Sequence, residues 1–268
     1  MKIGSQAHRT SAISAANEAT ILVRGRDLCG ELIGAITFTD HTWLLVTGEL
    51  PTAAQRRVLD ATLVGIAEHG LVPSVQASRM TLAAAPEALQ GAVAAGILGC
   101  GSVILGASEA AGHLLQAIVT RANGGDIEAA AEAVIREYRQ ARRAIPGYGH
   151  PLHKGYDPRA RRLLQVAGEA GAAGHYAAAA LAVDRALPKI TGKPLAMNVS
   201  GAIPAVLLDA GYPLLALKGV PILARTASLI AHLLEEQTRP IGFVLSHAAA
   251  SAIDYDGPAP DGFVASEE

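Results

Sequence analysis

Most of the residues that could do chemistry gather in one fourteen-residue stretch, Pro146-Gly147-Tyr148-Gly149-His150-Pro151-Leu152-His153-Lys154-Gly155-Tyr156-Asp157-Pro158-Arg159. Three glycines and three prolines here rule out a regular helix or a central strand. The stretch reads instead as a rigid loop between two helical patterns, Ile127 to Ala144 and Arg159 to about Gly168. Asp157-Pro158 also marks a helix start, with a carboxylate at the N-cap and proline in the first turn. Histidine can move a proton near neutral pH, and Lys154 and Arg159 add positive charge, so the set suits an anionic ligand. A surface loop with solvated charges is the competing reading.

Other candidates lie outside the loop. His69 follows Glu68 near a helix end, where a lone histidine is commonly structural. Arg225 sits within an apolar helical run extending to Glu236. A charge there must be paired, either with an internal carboxylate or with a ligand's. Arg239-Pro240 follows that run. Arg139, Arg142 and Arg143 end the helix from Ile127, where they either complement the helix dipole or meet an anionic partner.

Composition narrows the class. The chain has 268 residues, of which 17% are charged and 4% aromatic, with a net charge of −2. Typical soluble domains are roughly 25% charged. The apolar excess is largely alanine, which favours closely packed helices and surface hidden by self-association. No polybasic run points to nucleic acid. Cys29 and Cys100 form neither a disulfide framework nor metal-ligand spacing, and residues 1–20 carry no apolar signal core. A cytoplasmic location without metal is expected. The charge-free run between Glu87 and Glu109 approaches the length of a membrane span. Its five glycines and missing aromatic belt favour a buried helix. Gly96 to Gly106 lacks the preceding strand of a dinucleotide fingerprint, so close helix packing is expected there.

Pro-Gly-Tyr-Gly-His, then Lys, then Tyr-Asp-Pro-Arg resembles the signature loop of the citrate synthase superfamily. That superfamily includes citrate and methylcitrate synthases, citryl-CoA lyases and the lyase module of ATP-citrate lyase. Arg24-Gly25, Gly48-Glu49-Leu50-Pro51-Thr52 and Glu68-His69 resemble its opening, and the likeness covers roughly 20–243. It implies an all-α fold in which a large domain, 1–106 and 213–268, holds an inserted small domain, 107–212. By resemblance His69, Arg159 and Arg225 bind substrate, and Arg239 matches an arginine that the family's partner subunit donates. The resemblance also implies that Gly147, Tyr148, Gly149 and Lys154 hold coenzyme A, and that His150 handles the proton of the tertiary hydroxyl.

Two departures bear on the reaction. Ile104 stands where synthases carry the histidine of His-Gly-Gly, and Ser200 where the family has the aspartate of Asn-Val-Asp. A neutral hydroxyl is a poor base. Condensation must generate an enolate from acetyl-CoA, whereas cleavage need only stabilise one. The resemblance therefore implies a citryl-CoA lyase-like enzyme, with His150 and Ser200 as catalytic candidates. Citryl-CoA, acetyl-CoA and oxaloacetate are its expected small-molecule partners. Coenzyme A enters as a thioester, no cofactor is tightly bound, and a homodimer or higher homo-oligomer is expected, with no nucleic acid or membrane. The alternatives are a synthase-type acyltransferase and a non-catalytic binder of citrate or coenzyme A.

Remaining elements are placed by pattern. Ile21–Leu28 reads as a short β-like piece, Cys29–Gly48 as one helix, and a helix capped by Thr52 runs through Ile66. His175–Leu187 reads as a helix with Pro188–Pro194 a loop, Met197–Gly201 opens an apolar helix, and 243–268 reads as a tail.

Overall fold

A computed structural model describes residues 10–101, 105–149 and 156–263. They fall into two compact units, one within 1–67 and 102–224, the other within 68–101 and 225–268. The expected inserted domain, 107–212, lies wholly within the range of the first unit. The described residues are mainly helical, as the all-α reading implied.

The first unit opens with a small antiparallel meander of β1 (Ser14–Ala16), β2 (Ile21–Val23) and β3 (Arg26–Asp27). Ser14 pairs with Val23 and Leu22 with Asp27. Arg24 and Gly25, at φ 49° and 79°, make the tight turn between β2 and β3. A π-helical turn, Leu28–Leu32, follows, capped by Asp27. The single helix expected over Cys29–Gly48 is therefore two elements. The second, α1 (Phe38–Thr47), starts afresh at a Thr37/Asp40 capping box, in which each side chain takes the other residue's N–H. Asp40 also accepts from Arg56 Nε at 2.5 Å. Such a local start signal outweighs apolar spacing that would otherwise run on through residues 33–37.

Helix α2 (Ala53–Ala67) begins where Thr52 and Gln55 cap each other's N–H. Next come α3 (Pro73–Ala84) and α4 (Leu89–Leu98), both in the second unit. The first unit resumes with α5 (Ala107–Ala122), α6 (Ile127–Gln140), α7 (Pro158–Glu169), α8 (His175–Thr191) and α9 (Val199–Asp209). Helix α8 runs past Pro188 instead of stopping before it. The hydrogen bond that proline forfeits lies in the last turn, which Thr191 Oγ to Leu187 O (2.8 Å) and Gly192 N to Pro188 O (3.0 Å) close. Helix α9 is the centre of this unit. It packs on α2, α5, α7 and α8, and Ala202, Ile203, Ala205, Val206 and Leu207 are fully buried. Whatever sits at its N-terminus is thus held by the best-packed element present.

Helix α10 (Gly219–Thr238) carries the boundary between the units at Ala224 and Arg225, and α11 (Gly242–Ser251) follows it. The expected tail therefore begins as a helix. Its apolar, alanine-rich run packs on α3, where Gly242 approaches Arg79 O and Ala83 too closely to admit a side chain. The charge-free run between Glu87 and Glu109 is broken after α4, whose ten residues rise only about 15 Å. A Cβ on Gly96 would lie 2.8 Å from Ser74 O and 2.7 Å from Leu229 Cδ1. Gly96 thus serves close packing, as expected for this run, whereas a Cβ on Gly101 would meet open space. By length and composition alone Leu214–Thr238 is apolar enough to cross a bilayer, but it carries Arg225, Glu235 and Glu236.

Candidate active site

In the first unit the loop Gly147–Gly149 is laced onto the entry to α9. Gly149 N donates to Ala196 O (2.7 Å), Asn198 N to Gly147 O (2.9 Å) and Asn198 Nδ2 to Gly149 O (2.6 Å). Tyr148 bridges Met197 as an isolated antiparallel pair. The approach is so close that a Cβ on Gly147 would sit 2.6 Å from Gly201 Cα, and one on Gly201 2.6 Å from Gly147 O. Both positions must be glycine, and Gly147 also adopts φ 84°. Tyr148 is buried and donates its hydroxyl to Ala180 O at 2.7 Å. Burial, reinforced by the Asp184 charge, pushes this phenol well above its ordinary pKa. Its side chain therefore anchors the loop and is not an acid.

Ser200 lies in the first turn of α9. Its N–H goes to Asn198 Oδ1 (2.9 Å), the Gly201 N–H to Asn198 O (3.0 Å) and the Val199 N–H to Asp157 Oδ2 (3.0 Å). A helix N-terminus commonly offers such N–H groups to anions. Here three are already taken, so recognition of an anion falls to side chains.

Asp157 ties α7 to α9. It caps α7 through the Arg159 N–H, holds the start of α9 through Val199, and takes the Arg159 guanidinium in a fork, Nε to Oδ1 (3.1 Å) and Nη2 to Oδ2 (2.9 Å). Burial alone would raise its pKa. The Arg159 hydrogen bonds and charge, with the two N–H donors, outweigh burial and hold the carboxyl below the usual range. Arg159 is thus fixed in place by a carboxylate two residues away. Asp184 lies partly open to solvent, yet burial of its carboxyl pushes its pKa up, against the Met197 N–H it accepts at 3.2 Å and the Arg185 charge.

The second unit holds His69, Arg225 and Arg239. Glu68 takes the N–H of Gly70 on the far side of His69, and it accepts from Ser228 Oγ and lies 3.1 Å from His232 Nε2 on α10. Burial would raise Glu68, but the Ser228 and Gly70 hydrogen bonds and His232 draw it down. The exposed His69 thus follows a glutamate tied to Ser228, which lies one helical turn along α10 from Arg225. Arg225 is buried and stands beside the Cys100 thiol, which burial raises and the Arg225 charge lowers. Arg239 is fixed by its backbone, its carbonyl accepting from Arg79 Nη2 at 3.0 Å, while its side chain is 81% exposed.

The structure thus gathers Gly147, Tyr148, Gly149, Arg159 and Ser200 in one unit and His69, Arg225 and Arg239 in the other. His150 and Lys154, with the substituted position Ile104, lie outside the described residues. Sequence reasoning missed Asn198, Asp184, Arg79 and Glu236. Asn198 alone had a readable signal, an N-cap residue directly before an apolar helix.

The family profile described as "Citrate synthase, C-terminal domain" matches residues 54–242. The fold is similar to that of a citryl-CoA lyase from Hydrogenobacter thermophilus, 31% identical, over 95% of this chain and 97% of that one, with a TM-score of 0.84. An ATP citrate lyase from Methanothrix soehngenii, solved with citrate and coenzyme A, is 22% identical (TM-score 0.77) over 96% of this chain but 43% of its own. A citrate synthase from Thermotoga maritima is 20% identical over 86% and 60%, at a TM-score of 0.64. These last two likenesses speak to the fold alone. No curated protein sequence matches the chain. With its glycine loop sewn onto the first turn of a central helix, a profile match over 54–242 and a relative 31% identical across 95% of its length, this chain belongs to the citrate synthase family.

Proposed function

We propose that the chain cleaves citryl-CoA, or a related hydroxyacyl-CoA, to acetyl-CoA and oxaloacetate. The observation that carries this reading is the 31% identity with a citryl-CoA lyase, across nearly the full length of both chains. The ligand-side residues support it. By the family resemblance His69, Arg225 and Arg239 of the second unit, and separately Arg159 and His150, are residues of the kind that a substrate rich in carboxylates needs, supplying positive charge and hydrogen bonds. Each charge-assisted contact contributes about 1.5–3 kcal/mol.

In the proposed reaction His150 takes the proton of the tertiary hydroxyl. The electron pair of that O–H bond becomes the new carbonyl of oxaloacetate as the adjacent carbon–carbon bond breaks. The electrons of the broken bond pass to the thioester as an enolate, which is reprotonated at carbon to give acetyl-CoA. Ser200 serves as a hydrogen-bond donor to the thioester oxygen or to a water beside it. The backbone of Gly147–Gly149 and the charge of Lys154 hold coenzyme A. Asp157 keeps Arg159 in place and is too strongly committed to act as a base.

Arg239 serves a neighbouring subunit of a homodimer in this reading. Its exposed guanidinium supports that, as do the exposed apolar residues Ile230, Leu234, Phe243 and Val244. The unpaired Cys29 and Cys100 accord with a reducing cytoplasm. Ser200 in place of a carboxylate favours a second reading, a binder of citrate or coenzyme A without turnover. Adding citryl-CoA and following oxaloacetate separates the two. Turnover supports the lyase, whereas citrate binding by calorimetry with no turnover replaces it with the binder.

A further inference from the structure

The second unit contains a buried charge cluster that the proposed chemistry does not use. Arg79 on α3, 2% exposed, donates Nε to Glu236 Oε2 (2.6 Å), Nη1 to Glu235 Oε2 (2.8 Å) and Nη2 to Arg239 O (3.0 Å). Glu236, equally enclosed, accepts the N–H of Ile241 at 3.0 Å and that of Gly242 at 2.7 Å. One guanidinium and one carboxylate thus fix the chain on both sides of Pro240, by the carbonyl before it and the two N–H groups after it. Pro240 has no N–H to satisfy and its φ is preset. The Cβ that Gly242 lacks would lie 2.5 Å from Ala83 Cβ and 2.8 Å from Arg79 O, so only glycine lets the turn sit this close to α3.

A buried pair of this kind adds little to stability, because loss of hydration offsets the attraction. What it does supply is geometry. The backbone of Arg239 is held at its carbonyl by Arg79 and at its N–H by Glu235 O, while the side chain extends into solvent 3.8 Å from Glu235. A long side chain on a rigid base gives up less freedom on gripping a carboxylate than one on a loose turn. We infer that Arg79 and Glu236 are positioning residues that set the backbone from which Arg239 reaches a substrate carboxylate. This rests on the reading of Arg239 as a substrate-binding arginine.

The test is a double-mutant cycle on the full-length protein, with KM and kcat for citryl-CoA and the citrate Kd as readouts. Arg239→Ala raises KM and Kd by roughly 10- to 150-fold with little change in kcat, as expected for a contact made equally before and during reaction. Arg79→Lys keeps the charge but cannot span three acceptors, and it shifts KM and Kd in the same direction. In the double variant KM and Kd match those of Arg239→Ala alone. A purely structural role for Arg79 would instead lower kcat through a smaller folded fraction, and the two effects would multiply. Should Arg79→Lys fail to fold, Gly242→Ala displaces the same turn without removing either charged residue and is expected to show the same non-additivity. Multiplying effects overturn the inference and leave Arg239 in its role. An Arg239→Ala variant with unchanged citrate affinity overturns the reading of Arg239, and the inference with it.

Discussion

Replacing Gly147 with alanine sets two magnitudes against each other. The new Cβ would meet Gly201 Cα at 2.6 Å and Gly201 N at 2.9 Å, and the residue must hold φ 84°. The left-handed conformation costs about 1–2 kcal/mol for a residue with a side chain, and overpacking about 1–3 kcal/mol. Against that, three hydrogen bonds lace the loop to 196–198, together contributing about 3 kcal/mol at roughly 1 kcal/mol each. The summed strain of about 2–5 kcal/mol is of the same size as the lacing, so the loop is expected to lift off α9 while the rest of the unit stays folded. Catalysis then falls further than stability. Loss of the lacing limits the drop in Tm to roughly 6–12 °C for a protein of this size, while kcat/KM for citryl-CoA falls at least about 30-fold, the factor matching 2 kcal/mol. Steady-state kinetics and thermal unfolding of one preparation measure both. A Gly147→Ala enzyme with near-normal kcat/KM would refute the idea that the loop must lie against Gly201.

Further predictions follow from the carboxylates and from Ser200. The native pKa of Asp157 lies below its unfolded value, so its contribution is fully present above about pH 4 and is lost as pH falls through the native value. Asp157→Asn is expected to lower Tm at pH 7 and to flatten this acid limb, as thermal melts from pH 2.5 to 6 would show; an unaltered limb would contradict the assignment. The Asp184 shift has the opposite sign, favouring the folded state below the unfolded pKa and losing that contribution as pH rises through the native value. Asp184→Asn, which still accepts from Met197, is expected to leave Tm at pH 7 unchanged or raised; a clear drop would contradict it. Ser200→Asp is expected to leave condensation of acetyl-CoA with oxaloacetate near background, since position 104 remains isoleucine; a large gain in thiol release would refute that.

What the sequence disclosed follows the range over which each signal acts. The Asp157-Pro158 helix start, the Thr52 cap and the break at Gly147–Gly149 are local, set by one or two residues, and all stand in the structure. The break before α1 was equally local, yet the Thr37/Asp40 box was hidden by apolar spacing that ran through it. The interruption expected at Pro188 overstated the cost of a proline so near a helix end. Helix α11 was illegible because its partner, α3, lies about 160 residues earlier in the chain. The same distance hid Arg79, whose partners Glu235 and Glu236 identify it only once α3 and α10 meet. Arg159 was readable as a site cation, but nothing in its spacing showed that Asp157 would hold it by a bidentate fork.

The most direct measurement of the central claim is oxaloacetate release from citryl-CoA, followed as NADH oxidation with malate dehydrogenase as the coupling enzyme. The account predicts NADH consumption that depends on this protein and is reduced by Gly147→Ala. A flat NADH trace from a folded preparation that still binds citrate would contradict it.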